Sequence, residues 1–431
     1  MRIAATSLVA EQDITSMSTP GLVRFVTART VSILGDRLAE TALPMVILLA
    51  TQDALLAGLV TAANMAPTFL IALPVGHYVD LRERRRLMIT ADIWRAVLAA
   101  GLAIALLAPH PPAAILIGVS FLLGCGDVLF NVSAQSYLPA LVPSARIMRA
   151  NTALETGDAA ATLAGPALAG AVLARFSASV AIVLNSASFL LSALLLLRLP
   201  NSRLDQRRDP GEDATHAKHA GMLAGVRLLI GDPTQRLLQI ATAYMYVAAG
   251  SSGVMVISLA VQALRLRTVE VGLLLSAAGV GGLLVGLVVA RMVERAPWGP
   301  LLGLVLFGLA LTCLWLGASP SFGIAFPAVL LMDGCSALAF ITAGSARQLL
   351  TPADRLGRVT AAAGVLNGVA RTLGAAGGGT LVVALGARGA LMTLGGCGIA
   401  AAIPLLLSRV ARFPLTGVPQ RDVKSAPAGT S

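Results

Sequence analysis

Long apolar runs separated by short polar ones set the rhythm of this chain. Stretches apolar enough to cross a bilayer recur at 23–50, 54–79, 87–108, 112–138, 151–174, 178–198, 235–262, 269–293, 298–318, 322–346, 358–385 and 388–408. Each approaches or exceeds the roughly 20 residues a helix needs to span hydrocarbon. A helix also satisfies its own backbone N–H and C=O groups, as lipid requires. The pattern predicts an all-α polytopic membrane protein with about twelve transmembrane helices. Composition agrees: 56% of residues are hydrophobic, 12% are charged and the mean hydropathy is +0.82, too oily for a soluble core to absorb.

Charge supplies the sidedness. Lys and Arg concentrate in both terminal segments and in the connections after the even-numbered spans, whereas the opposite connections carry only Arg175, Arg265, Arg267 and Arg388. Positively charged loops stay in the cytoplasm, so both termini are expected there, in a multi-pass protein of the cell membrane. The net charge of +11 is spread singly and in small clusters, without an aromatic-lined basic domain, which argues against a nucleic-acid partner. The first twenty residues contain Glu11 and Asp13 and lack the apolar core of a cleavable leader.

The longest polar interval, "PNSRLDQRRDPGEDATHAKHAG" from Pro200, has the composition of a solvated linker. The expected organisation is therefore an N-terminal cytoplasmic tail (1–21), a first six-helix bundle (22–199), a cytoplasmic linker (200–225), a second six-helix bundle (226–411) and a C-terminal tail (412–431). An offset of about 210 residues supports a duplication. It sets Gly76 on Gly286, Gly124 on Gly334, Phe130 on Phe340, Arg149 on Arg358 and Gly165 on Gly374.

"GHYVDLRERRR" (76–86), between the second and third spans, resembles the loop signature G-x-x-x-D-R-x-G-R-[KR] of the major facilitator superfamily. Gly76, Asp80, Arg84 and Arg85 match it; Leu81 and Glu83 replace its usual Arg and Gly. "SILGDRLAETALP" (32–44) and "LTPADRLGRV" (350–359) resemble the enterobactin-exporter-like, drug-efflux branch, and "GPALAG" (165–170) is similar to the Gly-Pro signature of antiporters. The resemblance implies two pseudo-symmetric six-helix bundles and a central cavity lined by the first, fourth, seventh and tenth helices. It also implies a conformational latch: Gly76, Asp80, Arg84 and Arg85 meeting the start of the eleventh helix near Arg358 when the cytoplasmic side is shut. The arginines also have a plain reading as topology anchors.

Acids inside the spans carry the sharpest chemical signal, since a carboxylate at mid-membrane costs about 2.5–3.5 kcal/mol and needs a partner, water or a proton. Asp36 and Glu40 share one face of the first helix with Arg37 beside them; Asp127 lies mid-span in the fourth and Asp333 in the tenth. These are the candidate proton-coupling and cavity residues, together with Arg371, a buried cation in need of an acid such as Asp333 or of an anionic ligand. Asp92 and Arg95 read as a structural pair near the cytoplasmic end of the third span, and Glu155 and Asp158 as charges near the start of the fifth. Tyr244, Tyr246, Ser251 and Ser252 offer polar tips on the seventh. Gly165, Pro166 and Gly170 either pack helices closely or form a bendable face where the halves separate.

The four cysteines lack metal or redox spacing, and His216 and His219 have no third ligand nearby. No HExxH, GxSxG or P-loop pattern occurs. The expectation is thus a transporter without catalytic residues, cofactor or bound metal, not an enzyme. It is a monomer in the lipid bilayer whose partners are protons and a small amphipathic molecule, a drug or siderophore, exported by alternating access. The alternative is a proton-coupled importer of a small metabolite; a membrane-embedded enzyme or a sensor is more remote.

Overall fold

The computed structural model describes residues 2–108, 111–143, 146–200, 226–293 and 297–408. Most of the proposed linker and the C-terminal tail, with His216 and His219, lie outside them. Among the described residues every regular element is a helix. The first half comprises α1 (Arg2–Thr51), α2 (in the pieces Ala54–Met65, Pro67–Leu70 and Ala72–Asp80), α3 (Arg84–Ala105), α4 (Ala113–Leu141), α5 (Ile147–Arg175) and α6 (Ala178–Leu196). The second comprises α7 (Pro233–Ser258, prolonged by a π turn Leu259–Ala263), α8 (Thr268–Val293), α9 (Trp298–Ala318) and α10 (Phe322–Leu350). Its last two helices, α11 and α12, are the arms of Ala353–Leu407, divided at Gly386, whose φ of 70° an L side chain rarely adopts.

The helix ends follow local chemistry. Asp53 caps α2 by accepting from the Leu56 N–H (3.0 Å), and Asp232 caps α7 by accepting from Thr234 N–H (2.8 Å) with Pro233 at the first helical position. Pro67 and Pro74 each remove a helical donor, and α2 bends by 58° between its outer pieces. The segment expected as an N-terminal tail is helical and continuous with α1, and no Gly or Pro interrupts it before position 20.

Large apolar side chains such as Ile104, Leu194 and Leu304 stay more than half exposed on the outer faces, the condition of a lipid-facing surface. Small residues do the interior work. A Cβ on Gly165 would lie 2.4 Å from Arg37 Cβ, and one on Gly374 would lie 2.3 Å from the Val247 carbonyl oxygen. Gly374 and Val247 follow Gly165 and Arg37 by the repeat offset, so the same glycine contact joins α5 to α1 and α11 to α7. The two bundles repeat this contact at equivalent positions.

They meet through glycine as well. A Cβ on Gly170 (α5) would lie 2.5 Å from the Thr268 carbonyl at the start of α8, and one on Gly379 (α11) 2.4 Å from the Ala54 carbonyl at the start of α2. Both contacts sit at the arginine-poor end, where the Gln262 amide also donates to the Gln52 carbonyl (3.2 Å). At the arginine-rich end, a Cβ added to Gly76, Gly344, Gly357 or Gly364 would meet nothing within 4 Å. The seam is shut at the arginine-poor end.

Candidate functional site

A cavity of about 290 Å³ lies at the middle of the seam, close to the lower bound for small-molecule sites. It is lined by Asp36, Arg37 and Glu40 of α1, Asn64 of α2, Ser120 and Asp127 of α4, Thr162 and Pro166 of α5, Asn185 and Phe189 of α6, Ser252 of α7 and Arg371 of α11, with apolar walls from Val60, Leu123, Ile257 and Leu275. Its floor is set by the glycine at 165: only a hydrogen in place of a side chain lets α5 come so near to Arg37. One residue on, Pro166 cannot donate to the Thr162 carbonyl, which leaves an acceptor without its helical partner beside the cavity.

Arg95 is the hub behind this wall. Its side chain is 2% exposed, yet its guanidinium donates to Asp127 Oδ1 (2.8 Å), Asp36 Oδ2 (3.5 Å), Ser32 Oγ (3.2 Å) and Asp92 Oδ1. The rings of Phe130 and Phe189 flank it, with centroids 4.5 and 4.3 Å from the guanidinium carbon. A Cβ at Gly126 would strike Arg95 Cγ at 2.6 Å, so the glycine preceding Asp127 makes room for the arginine. Asp36 and Asp127 are 24% and 30% exposed, whereas Asp92 is 0% exposed. One guanidinium thus serves three carboxylates, two reachable from the cavity and one sealed.

The sequence-predicted residues fall into place unevenly. Asp36, Glu40, Asp127 and Arg371 all line the cavity, and Glu40 pairs with Arg37 (2.8 Å). Asp333 does not line it: α10 contributes no lining residue among the described ones, and the Asp333 carboxylate faces Gly282 of α8, 2.9 Å from a Cβ built there. The expected buried pairing of Arg371 with Asp333 is likewise corrected, because Arg371 is exposed in the cavity and makes no ion pair among the described residues. Asp92 and Arg95 do pair, but in the middle of α3 and joined to the cavity acids, since the helix begins at Arg84 rather than at 87. Asp158 is no end charge either: α5 starts at Ile147, and Arg29 of α1 donates to it at 3.2 Å.

On α7 only Ser252 of the four polar tips reaches the cavity. Ser251 is buried against the Ala248 carbonyl, the Tyr244 hydroxyl donates to the Leu394 carbonyl of α12 (3.1 Å), and Tyr246 stacks edge-on against Phe340 at 5.0 Å. At the arginine-rich end Asp80 is exposed without an ion pair among the described residues, Arg85 donates to the Leu197 carbonyl (3.1 Å), and Glu83 pairs with Arg86.

Twelve helical segments among the described residues, in two sets related by the repeat offset and shut at one end around a central cavity, are the architecture that the loop signature implied. Residues 25–375 match the Major Facilitator Superfamily. The chain belongs to that superfamily. It is similar to an uncharacterised MFS-type transporter, YfiS of Bacillus subtilis (strain 168), with 26% identity over 198 residues. That alignment spans 46% of each protein, so the chain covers about half the length of this relative. Solved structures with the same fold include the nucleoside transporter NupG (TM-score 0.75, 12% identity, 89% of this chain and 98% of that one). A bacterial homologue of the iron transporter ferroportin in an inward-facing state also shares it (0.65, 17%, 90% and 98%). This facilitator chain therefore has the multi-pass helical fold of its superfamily.

Sequence reasoning read Arg95 only as half of a local pair and passed over Ser32, Asn64 and Gly126. A signal for the Arg95 cluster existed: an acid and a base one turn apart within an apolar span, and a second acid after a glycine on the next helix.

Proposed function

We propose that the protein exports small amphipathic compounds, of the drug or siderophore kind, in exchange for protons. The Arg95 cluster carries this reading. Three ionised carboxylates around one guanidinium would leave an excess of negative charge in a medium that stabilises charge poorly. Protons arriving through the cavity neutralise it. Asp36 and Asp127 are the acids that meet cavity water, and Asp92 holds Arg95 in place from behind. Glu40 is committed to Arg37.

Exchange then follows from access. With the arginine-rich end in the cytoplasm, the shut end is the outer one, and the state described above faces inward. Rocking the halves about the seam, with Gly165, Pro166 and Gly170 as its flexible packing face, turns the cavity outward. Asp80, with Gly76, Arg84 and Arg85, then closes on the start of α11, a contact present in one state and absent from the other, which is what biases an equilibrium. One proton crossing 100 mV supplies about 2.3 kcal/mol, enough for a roughly fifty-fold gradient of a neutral solute.

The test is a panel of amphipathic compounds in everted membrane vesicles with an imposed pH gradient, with and without an uncoupler. Gradient-driven uptake into the vesicles by the intact protein and its loss in Asp36→Asn and Asp127→Asn are expected. Uptake that ignores the uncoupler, or that survives both substitutions, sinks the proton assignment.

A further inference from the structure

The charges of the cavity are divided between the halves. Its acids, Asp36, Glu40 and Asp127, come from the first half, while the second half contributes a single ionisable side chain, Arg371. The cations of the first half are engaged: Arg37 with Glu40, and Arg95 with its three aspartates. Arg371 makes no hydrogen bond or ion pair with the described residues and is exposed in the cavity.

The internal repeat makes this asymmetry explicit. Gly250 stands 210 positions after Glu40, and Arg371 stands 209 after Thr162; all four line the cavity. At equivalent places, then, one half carries an acid beside a hydroxyl and the other a bare glycine beside a cation. The glycine has a purpose in the packing, since a Cβ at Gly250 would meet the Arg371 carbonyl oxygen at 2.0 Å. This contact fixes the backbone of α11 against α7 and holds the base of the arginine on a rigid wall. Its guanidinium has five N–H donors in a planar fork and no acceptor among the described residues.

A cation in a membrane cavity that makes no ion pair with the described residues is costly unless water or a solute answers it. We infer that Arg371 is an anion subsite, and that the transported solute is an amphiphile bearing a carboxylate or phosphate. The acid group seats on Arg371, and the apolar body lies against Leu123 and Val60 of the first half and Ile257 and Leu275 of the second. Such a ligand spans the seam, so its binding changes as the halves rock. The inference rests on reading the cavity as the solute site, but not on protons as the driving ion.

Equilibrium binding without any gradient tests it. The probes are dansyl-glycine, dansyl-valine, dansyl-leucine and dansyl-phenylalanine, each matched with its neutral amide, together with a dansyl phosphate monoester matched with its alcohol, all titrated into purified protein in nanodiscs. At least one acid should bind about tenfold or more tightly than its neutral partner, the worth of a charge-assisted hydrogen bond. In Arg371→Gln that preference should fall towards one with binding of the neutral partner unchanged, which also reports an intact cavity; Arg371→Lys should keep part of it. Whether carboxylates or phosphates show the larger ratio identifies the solute's acid group. If no acid outbinds its neutral partner, or if Arg371→Gln keeps the preference, the inference is overturned. An acid preference that persists in an Asp36→Asn protein lacking gradient-driven transport separates this subsite from the proton assignment.

Discussion

Gln52 and Gln262, 210 residues apart and equivalent under the internal repeat, are bonded to each other: the amide of one reaches the carbonyl of the other across 3.2 Å where α1 and α7 end. A residue can meet its own repeat mate only near the axis relating the two halves. The pair therefore lies on that axis at the closed end of the seam, next to the Gly170 and Gly379 contacts.

Tethering that end should stop turnover. In a Gln52→Cys/Gln262→Cys protein lacking its four native cysteines, a short bis-methanethiosulfonate cross-linker is expected to abolish transport, and reduction to restore it. Full transport by the cross-linked protein, verified by a gel shift, would show that this end never opens.

Breaking the Arg95 hub should cost stability as well as activity. Arg95→Ala strands buried carboxylates, a loss of about 3–5 kcal/mol by the usual range for a broken buried pair. Removing Asp92 at the same time, in Asp92→Asn/Arg95→Gln, relieves part of that charge and should recover part of the lost thermal stability in nanodiscs. A double variant less stable than Arg95→Ala would contradict the account.

Glycine substitutions should separate by contact, not by depth. Gly165→Val places methyl groups where Arg37 already stands and should destabilise by about 1–3 kcal/mol, with Gly374→Val behaving alike at its repeat position. Gly101, which has nothing within 4 Å, should accept alanine with little change in thermal midpoint. Equal tolerance at 165 and 101 would remove the role given to glycine in joining α5 to α1.

The proposed latch predicts loss of transport without loss of fold. Asp80→Asn should insert and purify normally, because Asp80 is exposed and makes no ion pair among the described residues, yet move solute poorly, because the state it stabilises becomes scarce. Accessibility of a cysteine placed at Gly364 should rise in the variant; unchanged accessibility together with normal transport would dismiss the latch.

Much of this architecture was legible in one dimension. Hydrophobic length located the span ends to within a few residues, the start of α1 excepted, and the glycine offset announced the duplication, because lipid permits few backbone solutions and those leave long, regular marks. The charged side chains were harder. Asp36, Glu40, Asp127 and Arg371 were recognisable as intramembrane ions, but which of them meet depended on how helices rotate about their axes, something set by packing between residues far apart in the chain.

Two polar links show the difference. Arg29 and Asp158 join α1 to α5 as an ion pair, and at the repeat positions Gln239 and Asn367 join α7 to α11 through amides, Gln239 donating to Asn367 Oδ1 at 2.9 Å and accepting from Arg347 at 2.9 Å. No pattern in the sequence names these partners. By itself the sequence determined that twelve apolar helices lie in a membrane as two related sets, since burial in lipid is decided segment by segment. Only the tertiary structure decided that Arg95 gathers three acids, that Asp333 turns away to α8 and that Arg371 faces the cavity without a partner among the described residues. Those outcomes follow from close approaches at single glycines, which place each charge relative to helices it cannot sense along the chain.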